Sequence, residues 1–148
     1  MTALRDRGYD PFFPTTAERR RYSDRMAVVQ TAVFPGYIFC HFDPRKKVTV
    51  LSCPAVEHIV SFGGVPAVVP EGEIEAVRRA VEAGGRPRRY LNVGQRVRIE
   101  FGSLAGLEGI LERIGKQQRI VVSIHLLQRS VSVQIEQDQI RVLEPTVS

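Results

Sequence analysis

The C-terminal third of the chain alternates between apolar and polar positions. Val97 and Ile99 alternate with Arg96, Arg98 and Glu100, and Val131, Val133 and Ile135 alternate with Ser130, Ser132, Gln134 and Glu136. Ile120, Val122 and Ile124 repeat at the same spacing, Ile110 and Ile114 flank a segment at 108–114, and Ile140 and Val142 close the series. A two-residue period puts successive side chains on opposite faces of a strand. The region therefore predicts five short strands, each with one buried face. Strands this short leave unprotected edges unless the sheet closes, so the pattern predicts a small barrel.

The N-terminal part reads as mixed α/β. Residues 71–83 carry Ile74, Val77, Ala80 and Val81 at helical spacing, and Glu71, Glu73 and Glu75 oppose the positive end of the helix. Met1 to Arg7 is helix-compatible, with Gly8 placed as a C-terminal residue of positive φ. Two flanks, Glu18 to Tyr22 and Met26 to Val33, surround the turn-forming Ser23-Asp24-Arg25 and predict a β-hairpin. Tyr37 to Phe42 is a nearly continuous apolar run and predicts a central strand. Val56 to Phe62 predicts another, ended by Gly63-Gly64. Residues 84–91 hold two Gly, one Pro and three Arg and predict a solvated linker. The resulting division is 1–83, a linker at 84–91, and 92–148.

Composition narrows the function classes. Of 148 residues, 43% are hydrophobic and 25% charged, which suits a packed core rather than disorder. The formal net charge is +5, and most of it is N-terminal: residues 1–90 hold 14 Lys/Arg against 10 Asp/Glu, and residues 91–148 hold 7 against 6. That balance suits a polyanionic neighbour. Two Cys and three His make neither a disulfide framework nor a zinc site, so no metal is expected. No apolar run approaches the roughly 20 residues of a membrane span, and the polar start is unlike a signal peptide. The expectation is a reduced, cytoplasmic protein with no membrane contact. No Ser/His/Asp set or paired carboxylates stand at useful spacing, so neither enzymatic activity nor a cofactor is expected.

Two segments carry more specific information. In Val33-Phe34-Pro35-Gly36-Tyr37-Ile38-Phe39, Pro35 fixes φ and Gly36 allows tight geometry, which predicts a sharp bend into a strand. In Gly94 to Ile110, a turn glycine precedes an alternating strand, and Gly102, Gly106 and Gly109 lead into the next one. A phosphate-cradling loop also uses Gly, but it precedes a helix, which this pattern does not.

These segments resemble the NusG/RfaH family of transcription elongation factors. Gly94 to Ile110 is similar to the KOW motif, and Ala32 to Pro44 (AVFPGYIFCHFDP) is similar to the signature of the family's N-terminal domain. Val56 to Pro70, the 71–83 helix and Ser123 to Val131 fit the same order. The likeness is greater to the specialised, RfaH-like paralogues than to housekeeping members. It implies an α+β N-terminal domain, an antiparallel sheet with flanking helices, followed by a small all-β SH3-like KOW barrel. The family's N-terminal domain opens with a strand and a helix of which Met1 to Pro14 matches only the end, so this domain reads as truncated.

The resemblance also implies partners. Family members dock an apolar patch on the clamp helices of the RNA polymerase largest subunit and favour processive elongation. By position, Phe34, Pro35, Tyr37, Phe39 and Phe62 would form that patch. Arg19, Arg20, Arg21 and Arg25 bracket the predicted hairpin tip and would contact phosphates of non-template or upstream DNA; a solvated hairpin is the alternative. Arg45, Lys46 and Lys47 read as a solvated loop. His125, Leu126 and Leu127 match the surface that recruits a ribosomal small-subunit protein or Rho, although the Phe-Gly of housekeeping members is absent. A second functional reading is a ribosome-associated or RNA-binding KOW protein.

Overall fold

The computed structural model describes residues 2–54, 56–136 and 139–143. The element order is α1 (Thr2–Asp6), β1 (Thr15–Arg21), β2 (Met26–Ala32), α2 (Lys47–Leu51), β3 (Ser61–Phe62), β4 (Val65–Pro66), α3 (Glu71–Glu82), β5 (Arg86–Arg88), β6 (Arg96–Ile99), β7 (Glu108–Ile114), β8 (Gln117–Ile124), β9 (Arg129–Ile135) and β10 (Ile140–Val142). The chain forms two compact units, one from residues 1–13 and 34–68 and the other from 14–33 and 69–148.

In the first unit, α1 ends where the sequence places its stop. Gly8 has φ 86°, and Tyr9 N–H returns to Leu4 C=O at 3.1 Å. Leu4, Val50 and Cys53 form a small core, with Tyr9, Ile38, Phe42, Val56 and Ile59 packed around it. The segment expected as a central strand, Tyr37 to Phe42, is not one. Among the described residues it finds a ladder partner at one point, where Phe39 and Phe12 exchange both backbone hydrogen bonds at 2.7 and 3.0 Å. A strand needs a partner along its length; elsewhere in the segment Tyr37 bonds within its own turn, and Ile38 and Phe42 pack on the small core. Val56 to Phe62 likewise forms strand only at Ser61–Phe62, which pairs with Val65–Pro66 around Gly63-Gly64. Both glycines have positive φ, 58° and 80°, as a tight type I′ hairpin demands.

In the second unit, the predicted hairpin is present: β1 and β2 pair from Thr15↔Ala32 to Arg21↔Met26. The C-terminal strands follow the alternation read from the sequence, all antiparallel. The register sets Leu111, Ile120 and Val133 side by side, and Val122 beside Val131. The sheet order is β10-β6-β7-β8-β9-β5, with β10 and β5 at its two edges. No ladder joins these edges among the described residues, so the sheet is open where closure was expected. The free edge of β9, which a closing strand would need, is taken by β5. That strand lies within the stretch expected as a linker, and Pro87 is tolerated there because β5 is an edge.

Helix α3 packs on β8 and β9, so it belongs to the same unit as the sheet. Its apolar stripe buries Val77 and Ala80 completely. Arg79 ties it to the β6–β7 loop by donating to the carbonyls of Ser103 and Ala105 at 3.1 and 2.9 Å. The compact units therefore do not follow the 84–91 boundary, because the helix stripe needs an apolar sheet face and β8 and β9 supply it. Across the other side of the strands, Arg88 bonds Glu112 and holds its carboxyl below the usual range.

Glycine matters most at Gly109, where a Cβ would lie 2.4 Å from the backbone oxygen of Val121. Gly109→Ala is expected to lower unfolding free energy by about 1–3 kcal/mol. Gly72, on the open face of α3, gives the opposite sign: Gly72→Ala is expected to stabilise by about 0.5–1 kcal/mol. Urea denaturation of the two variants checks both.

Candidate interaction surfaces

The first surface is built on the bend at Phe34-Pro35-Gly36-Tyr37. Tyr37 N–H bonds Phe34 C=O at 3.1 Å, and Gly36 has φ 84°. Pro at the second position and a positive-φ Gly at the third meet the demands of a type II turn. Phe34 is only 1% exposed, and its ring meets Phe39 edge-to-face at 5.5 Å. Phe39 in turn lies 5.9 Å from Phe12. The five residues assigned to one patch therefore divide. Phe34 is core, because edge-to-face packing buries the ring. Pro35 is exposed, Tyr37 and Phe39 are half-buried, and Phe62 is 67% exposed on the β3–β4 hairpin.

The second surface is the β1–β2 hairpin. Strand alternation puts Arg19 and Arg21 on one face, opposite Val28 and Met26, and Arg20 on the other. Arg20 pairs with Glu18 at 3.5 Å. Arg25 sits at the tip, its guanidinium 5.7 Å from the Tyr22 ring centre. Arg19 and Arg21 are exposed, as are Met26 and Val28, the latter at 65%. The face is thus both cationic and apolar, a mixture the run of arginines alone did not reveal.

The third surface lies between β8 and β9. His125–Leu127 forms a 3-10 turn rather than a strand extension, closed by Gln128 in the left-handed region at φ 51°. A 3-10 turn does not alternate faces as a strand does, so Leu126 and Leu127 are both half-buried. The turn is anchored from two sides. His125 N–H donates to the Glu73 carboxylate at 2.9 Å, and the His125 ring bonds the Tyr90 hydroxyl at 2.7 Å. Neither partner was apparent in the sequence, because they lie 52 and 35 residues away.

Among the described residues no three His, Cys, Asp or Glu side chains come together in a way that could hold a metal, and no helix is long and apolar enough to cross a membrane. Cys40 and Cys53 are free thiols. Burial, and then the neighbouring Cys53 and Asp10, push the Cys40 thiol up. Of the motif glycines, Gly36, Gly94, Gly102 and Gly106 have positive φ.

The family profile described as transcription termination factor nusG matches residues 1–78. This chain belongs to the NusG family. The match takes in the Phe34–Tyr37 turn, the β1–β2 hairpin and the start of α3. Curated NusG relatives extend the likeness into the C-terminal sheet. The transcription termination/antitermination protein NusG of Vibrio vulnificus is 28% identical over 137 residues, covering 86% of this chain and 71% of that protein. The Escherichia coli K12 protein of the same name is 26% identical over 131 residues, covering 82% and 68%. The one from Pseudomonas aeruginosa is 26% identical over 114 residues, covering 72% and 64%.

The division within the aromatic set is testable. Phe34→Ala is expected to cost about 3–5 kcal/mol of stability. Phe62→Ala is expected to change it by less than about 0.5 kcal/mol. Thermal or urea unfolding of the two variants separates core from surface.

Proposed function

We propose that this NusG-family chain acts in transcription termination or antitermination by binding RNA polymerase during elongation. The family match over residues 1–78 carries the reading, because it contains both the Phe-Pro-Gly-Tyr turn and the basic hairpin. Pro35, Tyr37, Phe39 and Phe62 present apolar surface to the clamp helices of the largest subunit. Phe34 acts from beneath, holding Phe39 in place. A protein that binds the closed clamp more tightly than the open one shifts the population toward the closed state. Pausing needs opening, so the shift favours processive elongation.

The hairpin face with Arg19, Arg21 and the tip Arg25 approaches non-template or upstream DNA. Its charges contact phosphates and make the association salt-dependent. Arg20, paired with Glu18, contributes less. The C-terminal sheet is the KOW module, a role supported by the glycine pattern from Gly94 to Gly109. Its His125–Leu127 turn recruits a further partner, a ribosomal small-subunit protein or Rho. The chain works by binding, in the cytoplasm, without catalysing a reaction.

Pull-down with purified RNA polymerase tests the docking surface. Tyr37→Ala is expected to weaken binding about tenfold or more with an unchanged circular dichroism spectrum, the loss expected for an aromatic anchor. Unchanged binding by folded variant protein contradicts the assignment, and recovery with ribosomal subunits instead of polymerase favours a ribosome-associated role. For the hairpin, Arg19→Gln with Arg21→Gln is expected to flatten the salt dependence of DNA association.

A further inference from the structure

The two cysteines of the chain fall in the same compact unit, and both are free thiols. Cys53 is 3% exposed and belongs to the Leu4–Val50–Cys53 core. It stands just past the end of α2, where its N–H bonds the Val50 carbonyl at 3.1 Å. Cys40 is half-buried. Its neighbour Phe39 pairs with Phe12 as strand residues do, and side chains two residues apart along extended backbone share a face. Ile38, Cys40 and Phe42 therefore line up on one side. Ile38 and Phe42, which flank Cys40, both pack on the core that contains Cys53.

Neither thiol is firmly held. Cys40 Sγ–H donates to the His41 carbonyl at 3.9 Å, and Cys53 Sγ–H donates to the Thr49 carbonyl at 3.6 Å. A thiol is a weak donor, so both contacts are readily given up. Burial, and next the Cys53 side chain, raise the Cys40 thiol, so charge on one sulfur is felt at the other. The intervening chain, residues 40–53, is short, and bringing its ends together costs little entropy.

We propose that Cys40 and Cys53 are a redox-responsive pair, joined by a reversible intramolecular disulfide when the protein meets a peroxide. The half-buried Cys40 is the sulfur that peroxide reaches first, because Cys53 lies in the core. The Cys40 thiolate attacks one oxygen of hydrogen peroxide, the O–O bond breaks, and hydroxide leaves and takes up a proton. Cys40 is then a sulfenic acid. The Cys53 sulfur attacks the Cys40 sulfur, the S–O bond breaks, and the departing hydroxide takes the Cys53 thiol proton as water. In all, two thiols lose two electrons and two protons, and one peroxide becomes two waters. A bond of this kind in a reducing compartment is transient, as redox-sensing disulfides are. It fastens the segment carrying Phe39, whose ring packs on Phe34 and Phe12, to the end of α2.

The test treats the full chain with hydrogen peroxide, blocks remaining thiols with iodoacetamide in denaturant, and reads the intact mass and the tryptic map. The expected product is a monomer lighter by about 2 Da, the two hydrogens lost, with neither thiol alkylated. Its tryptic map links the peptides spanning 26–45 and 48–78, and dithiothreitol reverses the change. The rate is expected to be independent of protein concentration and to rise roughly tenfold from pH 7 to pH 8, as the raised Cys40 thiol yields more thiolate. Cys40→Ser, at the half-buried position, is expected to leave Cys53 a free thiol under the same treatment. Cys53→Ala is expected to leave Cys40 as a sulfenic acid that dimedone traps, with a yield about tenfold above that of the unaltered chain. A disulfide requires the two Cα atoms to come within about 7 Å, so its formation also reports the packing argued above. A dimer linked through Cys40 overturns the proposal. So does over-oxidised Cys40 beside an alkylated Cys53, or two thiols that remain reduced at a peroxide dose that oxidises free cysteine.

Discussion

Strand β8 is buried on both faces, and the C-terminal unit is organised by that constraint. It pairs with β7 on one side and β9 on the other, and α3 packs against it. A shift of one residue would exchange Ile120, Val122 and Ile124 for Arg119, Val121 and Ser123 on the same face. The observed register gives the buried serine of the strand its partners. Ser123 bonds Ser130 at 2.6 Å and the Leu91 carbonyl at 3.3 Å, while Leu91 N–H donates to Ser130 Oγ at 3.1 Å. Buried hydroxyls without such partners cost free energy. The same bonds draw the 88–91 stretch across the sheet, which brings Tyr90 to His125 and Arg88 to Glu112. A stretch rich in Gly, Pro and Arg becomes ordered because the strands beneath it offer these partners.

What was legible in the sequence follows from how local each signal is. The period-2 runs around Val97, Ile120 and Val133 located β6, β8 and β9, because alternation alone decides which side faces the core. The stripe of Ile74, Val77 and Ala80 located α3, and the Ser23-Asp24-Arg25 cluster located the hairpin turn. Where the outcome depends on a distant partner, the pattern misleads. Tyr37 to Phe42 has the composition of a strand but pairs only through Phe39, and Arg86–Arg88 lacks that composition but pairs with β9. Closure into a barrel depends on which strand takes the last edge, and no local pattern encodes that.

The candidate sites show the same split. The turn at Pro35-Gly36 and the exposed arginines of β1 were readable one by one. The burial of Phe34 was not, since it arises from packing against Phe39. The pairing of Arg20 with Glu18 was visible only once the strand placed both on one face.

The proposed function assigns these features a division of labour: an aromatic turn for the polymerase, a cationic hairpin for DNA, and a sheet whose β8–β9 turn meets a further partner. The central claim is that the chain acts on the elongating polymerase. The most direct measurement is in vitro transcription by purified polymerase, with and without the chain, on a template carrying defined pause sites and a terminator. The account predicts a redistribution of transcripts among paused, terminated and full-length products as the chain approaches saturation. An unchanged transcript pattern, with the chain folded and in excess, would contradict it.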